Sequence, residues 1–221
     1  MPMKGGSPDL RVIDRWGDGV GWIAYPDEGM RRASHAIESD GETWVFDPVD
    51  VDGVDDLIAD VGSVAGVVTC LDRHKRDAAR VARRHDVAVH VPSWFDGVAE
   101  ELDAPVERFD REVGGMTAVR VRNVSAWQEV ALRTDGGLYV PEAVGTVDFF
   151  RAPNDRLGVH PLLRPFPPRD ALGGLSPDRL RVGHGEGVAT DAAGALRDAL
   201  RNARRRLPAA YLNAARSMLL G

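Results

Sequence analysis

One stretch constrains the fold more than any other. Val64 to Thr69 is an apolar run rich in β-branched residues, and Arg73 to His85 places Ala78, Val81, Ala82 and His85 on one face at helical spacing. Asp72 stands where an N-cap is wanted, and Val87 to Val91 returns to the β-branched pattern. A strand, a helix and a second strand in this order predict a layered domain in which helices cover a sheet.

The rest of the chain fits around that unit. Val20 to Tyr25, Ser34 to Ser39 and Thr43 to Phe46 read as strands, and Asp40-Gly41 between the last two is a hairpin signal. Val51 to Val61 reads as a short acidic helix. Further on, Ala118 to Val121, Glu129 to Arg133, Gly137 to Val140 and Leu180 to Val182 read as strands, with a turn at Asp135-Gly136-Gly137. Residues 152 to 177 hold six of the 14 prolines and predict a long irregular crossing. Ala192, Ala195, Leu196, Ala199, Leu200 and Ala203 form a helical stripe, which Pro208 breaks before a last helix over Ala209 to Leu220.

Composition excludes several classes. At 221 residues, with 43% hydrophobic and 28% charged residues, the chain is expected to be one globular domain spanning 1–221. Cys70 is the only cysteine, so neither a disulfide framework nor a cysteine-rich zinc module is possible. No apolar run approaches a membrane span and the first residues lack a signal-peptide core, so a cytoplasmic protein with no membrane partner is expected. The acids are 24 Asp against 10 Glu and the bases 26 Arg against two Lys, which suggests a salt-adapted surface. A net charge of −6 argues against a nucleic-acid partner.

Three groups of residues carry a resemblance. Ser34 to Gly41 followed by Trp44-Val45-Phe46-Asp47-Pro48 resembles the opening hairpin of the metallo-β-lactamase fold, whose strand pair ends in an Asp-Pro or Asp-Thr step. The unit from Val64 to Pro92 resembles its next block. Glu129 to Leu132, Leu138 to Gly145 and Val182-Gly183-His184-Gly185 resemble later blocks, in the same order, so that roughly residues 34 to 200 are covered. The resemblance implies an α+β fold, a four-layer αββα sandwich.

Active members of that superfamily place His-x-His-x-Asp-His directly after the strand that ends here at Thr69, because neutral imidazoles and a carboxylate must converge on divalent ions. This chain instead reads Cys70-Leu71-Asp72-Arg73-His74-Lys75-Arg76-Asp77. Ser125 stands where the family has its next His, Glu142 where a bridging Asp is expected, and His184 keeps the last His. The resemblance thus implies a largely dismantled site that binds no stoichiometric zinc, iron or manganese.

The candidate pocket residues are Asp72, Arg73, His74, Arg76, Asp77, Ser125, Trp127, Glu142 and His184. In the leading expectation they form a cofactor-free pocket for a small anionic ligand, with Arg73 or Arg76 replacing the metal as the positive centre and Trp127 as an apolar wall. One alternative is a metal-dependent hydrolase with a single ion held by His74, Glu142, His184 and Asp72 or Asp77; another is a structural homo-oligomer subunit. Each residue also has a plainer role: His74 in a first helical turn or paired with Asp77, Glu142 as a solvated loop acid, and the whole set as a closed polar cluster. Arg76, Arg80 and Arg84 at four-residue spacing read as a solvated helix face paired with distant acids. Arg201 and Arg204 to Arg206 need only the helix dipole to explain them.

Overall fold

The structure, a computed structural model, describes residues 4–220, with side chains through Met218. Strands β1 (Arg11–Trp16), β2 (Gly19–Ile23), β3 (Ala33–Ser39) and β4 (Glu42–Phe46) form an antiparallel run. Helix α1 (Val54–Ala59), β5 (Val64–Val68), α2 (Ala78–Arg84), β6 (Val89–Pro92) and β7 (Val106–Phe109) then extend the same sheet in parallel. All seven strands lie side by side in chain order.

The second sheet contains β8 (Glu112–Val113), β9 (Met116–Val124), β10 (Trp127–Arg133), β11 (Gly137–Val140) and β14 (Arg179–Val182), in the order β14-β11-β10-β9-β8. Only β11 and β14 run parallel. A small pair, β12 (Val144–Gly145) and β13 (Gly158–Val159), lies between them in sequence, followed by helices α3 (Arg169–Leu172), α4 (Ala192–Asn202) and α5 (Leu207–Leu220).

Side-chain alternation explains the layers. Val130, Leu132 and Tyr139 of the second sheet join a core with Ala36, Val45 and Val67 of the first sheet and with Leu57 and Val81 of α1 and α2. Their neighbours Ala131, Leu138 and Val140 point the other way, into a core with Leu172 of α3 and Leu196 and Leu200 of α4. The fold is therefore the αββα sandwich expected. The Asp40-Gly41 hairpin is also as expected: both residues have positive φ (53° and 81°), the geometry of a two-residue turn matched to strand twist.

Three local expectations are corrected. Helix α2 begins at Ala78, not Arg73, because Arg76 sits at φ 40°, a left-handed conformation that a right-handed helix cannot contain. Asp72 therefore caps nothing; its carboxylate accepts the Gln128 amide at 3.0 Å, and the N-cap position falls to Asp77. Helix α1 is shorter than expected because Gly53, at φ 84°, fixes its start. Strands β1 and β7 escaped the pattern reading because they are exposed sheet edges with little apolar alternation.

The arginine stripe also splits. Arg80 and Arg84 pair with Asp50 at 3.1 and 2.8 Å, and Arg84 with Asp55 at 2.8 Å, as a solvated face should. Arg76, off the helix, turns inward instead. Arg206 pairs with Asp155 and Asp198. Among the described residues, no helix is long and apolar enough to cross a membrane.

Candidate metal centre

Five strand ends converge on one place. Asp47 follows β4, His74 lies on the loop after β5, Glu142 follows β11, His160 follows β13 and His184 follows β14. All five are buried. His74 Nε2 and His184 Nε2 approach the same oxygen, Glu142 Oε2, at 2.9 and 2.8 Å. The ligand atoms of His74, Glu142 and His184 all lie within 4.8 Å of one another.

The outer nitrogens decide which tautomers these rings adopt. His184 Nδ1 lies 3.0 Å from the Met30 carbonyl oxygen, which can only accept, so Nδ1 carries the proton. His74 Nδ1 lies 3.3 Å from Asp47 Oδ2, a carboxylate oxygen, and donates in the same way. Both Nε2 atoms thus present lone pairs toward Glu142 Oε2, itself an acceptor. His160 is the opposite case: its Nδ1 accepts the Leu162 amide at 3.2 Å, so Nε2 carries the proton, 3.5 Å from Glu142 Oε1.

Electrostatics favour an ionised Glu142 and a neutral His184. Burial would raise the Glu142 carboxyl, but a second proton on the adjoining His184 or His74 ring outweighs it and holds the carboxyl well below the usual carboxylate range. Burial depresses His184, against the opposing pull of Glu142, so the neutral ring is favoured. Burial likewise pushes His160 down to about 4. Asp47 stays ionised: burial raises it, but the His74 hydrogen bond and the His74 and Arg76 charges lower it further. Asp47 Oδ2 also accepts the Tyr139 hydroxyl at 2.6 Å, and Oδ1 the Cys70 amide at 2.8 Å.

Beneath Glu142 lies Glu129, fully buried in β10. Its Oε1 accepts the amides of Glu142 and Ala143 at 2.9 and 2.7 Å, and its Oε2 accepts Trp127 Nε1 at 2.6 Å. Burial lifts its carboxyl to about 7 despite those three donors. The guanidinium of Arg73 stacks over the Trp127 ring at 4.1 Å and reaches to 3.9 Å from Glu142 Oε1.

Of the expected pocket residues, His74, Glu142 and His184 form the centre, and Arg73, Trp127 and Arg76 border it. Arg76 is committed to the framework: its Nη1 donates to the carbonyls of Ala33 and Asp47, and its Nη2 to that of Gly183. Asp72 touches the border only through Arg73, at 3.2 Å. Two expectations fail. Ser125 is exposed in the turn between β9 and β10, because β9 and β10 run several residues past their apolar stretches and carry that turn outward. Asp77 does not pair with His74; its carboxylate accepts the Asp50 amide at 2.9 Å and pins the loop after β4.

Sequence reasoning missed His160, Glu129 and the supporting roles of Asp47 and Tyr139. Glu129 did leave a signal, as a lone acid in the otherwise uncharged buried run Trp127 to Leu132. His160 left none, since it lies in the proline-rich crossing where no periodicity applies.

No family model and no curated protein matches this sequence. Solved structures do match. The chain is similar to DIM-1 metallo-β-lactamase, at 11% identity and a TM-score of 0.55 over 90% of this chain and all of that one. It is similar to the metallo-β-lactamase TMB-1, at 10% identity and 0.56 over 89% and 99%. A variant of the flavo di-iron protein from Thermotoga maritima matches at 12% identity and 0.63, over 89% of this chain and 62% of that one. The chain has the metallo-β-lactamase fold.

Proposed function

We propose that His74, Glu142 and His184 hold a single divalent metal ion and that the chain is a mononuclear metal-dependent hydrolase built on this fold. The observation that carries the reading is the convergence of two imidazole lone pairs on one carboxylate oxygen. Three acceptors facing one another are repulsive unless a cation lies among them. The burial that depresses His184 disfavours a proton there. Two imidazoles and one carboxylate are a donor set suited to catalytic zinc or to non-haem iron(II), with further coordination positions left open. The outer contacts fit as well: a carboxylate behind His74 and a backbone carbonyl behind His184 fix ring orientation in the way metal-ligating histidines require.

When bound, such an ion polarises an acyl or phosphoryl oxygen or acidifies a water. The chain's own groups supply the rest. His160 holds its proton on Nε2, 3.5 Å from Glu142, Arg73 brings a half-exposed guanidinium to the rim, and Trp127, Phe149 and Phe150 close apolar walls around His160. Glu129 holds the backbone that presents Glu142.

A second reading keeps the centre metal-free, with an arginine as the positive charge. It is favoured by Arg76 Nη2 lying 3.4 Å from His74 Nε2. Against it, the Arg76 guanidinium is engaged by three carbonyls, which leaves Arg73 as the arginine free to hold an anion. Calorimetric titration of chelator-treated protein with zinc and with iron(II) separates the two. The metal reading expects one site per chain, weakened at least a hundredfold in Glu142→Gln. The metal-free reading expects no saturable metal binding, and an anion-induced thermal shift lost in Arg73→Ala.

A further inference from the structure

On the far side of the His184 loop lies a separate cleft of about 490 Å3, within the range of small-molecule sites. Three arginines line it, Arg31, Arg151 and Arg156, together with Thr146, Glu186 and the chain from Gly187 to Thr190. In a molecule of net charge −6, a concavity with three guanidiniums and one carboxylate stands out. That carboxylate is already engaged, since Glu186 pairs with Arg11 at 2.5 Å.

Among the described residues, Arg31 carries the unpaired guanidinium of the three, and Arg151 and Arg156 are engaged by their neighbours only in part. Arg151 pairs with Asp148 at 2.6 Å and donates to the Asp155 carbonyl at 3.4 Å, with its side chain still partly open to solvent. Arg156 donates through Nη2 to the carbonyl and hydroxyl of Thr190, while its Nη1 lies 3.8 Å from Asp191, too far for a hydrogen bond. Arg31 makes no ion pair and no side-chain hydrogen bond among the described residues. Its backbone is held at φ 37°, a conformation costly for a non-glycine residue, by the Gly185 amide donating to its carbonyl at 2.9 Å. The turn carrying Arg31 is therefore fixed by the same loop that carries His184.

We infer that this cleft binds a phosphate group, either free or as a small phosphomonoester, through Arg31, Arg151 and Arg156. Planar guanidiniums engage phosphate oxygens in pairs, and three of them around one pocket suit a doubly charged group with several oxygens better than a single carboxylate. The inference stands apart from the metal reading, because none of its residues is a proposed ligand.

Inorganic phosphate and glycerol 1-phosphate, each titrated at matched ionic strength with chloride as the control, test it. The titration is run with and without chelator, so that binding through an ion is read separately. The expected result is saturable phosphate binding, weakened at least tenfold in both Arg31→Ala and Arg156→Ala and unchanged in Arg111→Ala, which removes an exposed charge beside β8, at the sheet edge opposite β14. Arg31→Lys keeps the charge but loses the fork, and is expected to recover only part of the affinity. Should Arg31→Ala fail to fold, Arg156→Ala, on a half-exposed side chain, carries the test. Tighter binding of the ester identifies it as the ligand class, and tighter binding of inorganic phosphate identifies the free ion. A response no larger than that of chloride, or equal affinity in wild type, Arg31→Ala and Arg156→Ala, overturns the inference.

Discussion

At the scale of residues, the centre depends on groups that never face an open site. Asp47 orients His74 through Nδ1, and second-sphere partners of this kind are typically worth ten- to a hundredfold in metal affinity. Asp47→Asn should weaken zinc binding by that factor in a calorimetric titration while leaving its stoichiometry at one. Glu129 gives a pH signature. Between pH 4.5 and about 7 the folded chain keeps a proton on Glu129 that the unfolded chain has lost, so this residue makes stability fall as pH rises through that window. His160 acts oppositely: its folded pKa of about 4 lies below the 6.5 of the unfolded ring, so it makes stability rise with pH over that interval. The two nearly cancel in the wild type. The stability of the wild type relative to Glu129→Gln should therefore drop by about 3 kcal/mol from pH 4.5 to 7, read from denaturant unfolding at each pH. A constant difference would show that Glu129 is ionised throughout.

At the scale of elements, strand ends and glycines place the ligands. Gly183 is a position of close backbone approach: a β-carbon there would overlap the Pro141 carbonyl, just before Glu142. Gly183→Ala should cost about 1–3 kcal/mol and lower metal occupancy by pushing His184 and Glu142 apart. Strand β5 is the central test of the sheet. Val67 is wholly buried between β4 and β6, so Val67→Asp should abolish soluble expression. Arg84→Ala, on the exposed face of α2, should cost about 1 kcal/mol or less. Comparable melting temperatures for these two variants would contradict the assignment of faces. Strands β3, β4, β5 and β11 were readable because most of each is buried and rich in apolar or β-branched residues. The loop from Leu71 to Asp77 was not, because the helical spacing belongs to Ala78 onward and the left-handed Arg76 separates the two.

At the scale of the whole molecule, the order of blocks carried the fold and tertiary packing carried the site. The convergence of His74, Glu142 and His184 followed from the resemblance, since each stands at the end of a strand the resemblance had placed. His160 enters only because the proline-rich crossing folds back over those ends, a contact no local pattern encodes. The surroundings of His74 were not legible for the same reason: the 70–77 segment alone shows one histidine among three cations, whereas the folded chain turns Arg76 onto backbone carbonyls and leaves His74 facing two carboxylates. The proposed metal site rests on this convergence. Elemental analysis of protein purified without chelators tests it most directly. One transition-metal ion per chain, lost in His184→Ala with the fold retained, is the predicted result. Wild-type protein free of metal after purification in metal-supplemented medium, or equal metal in wild type and His184→Ala, would contradict it.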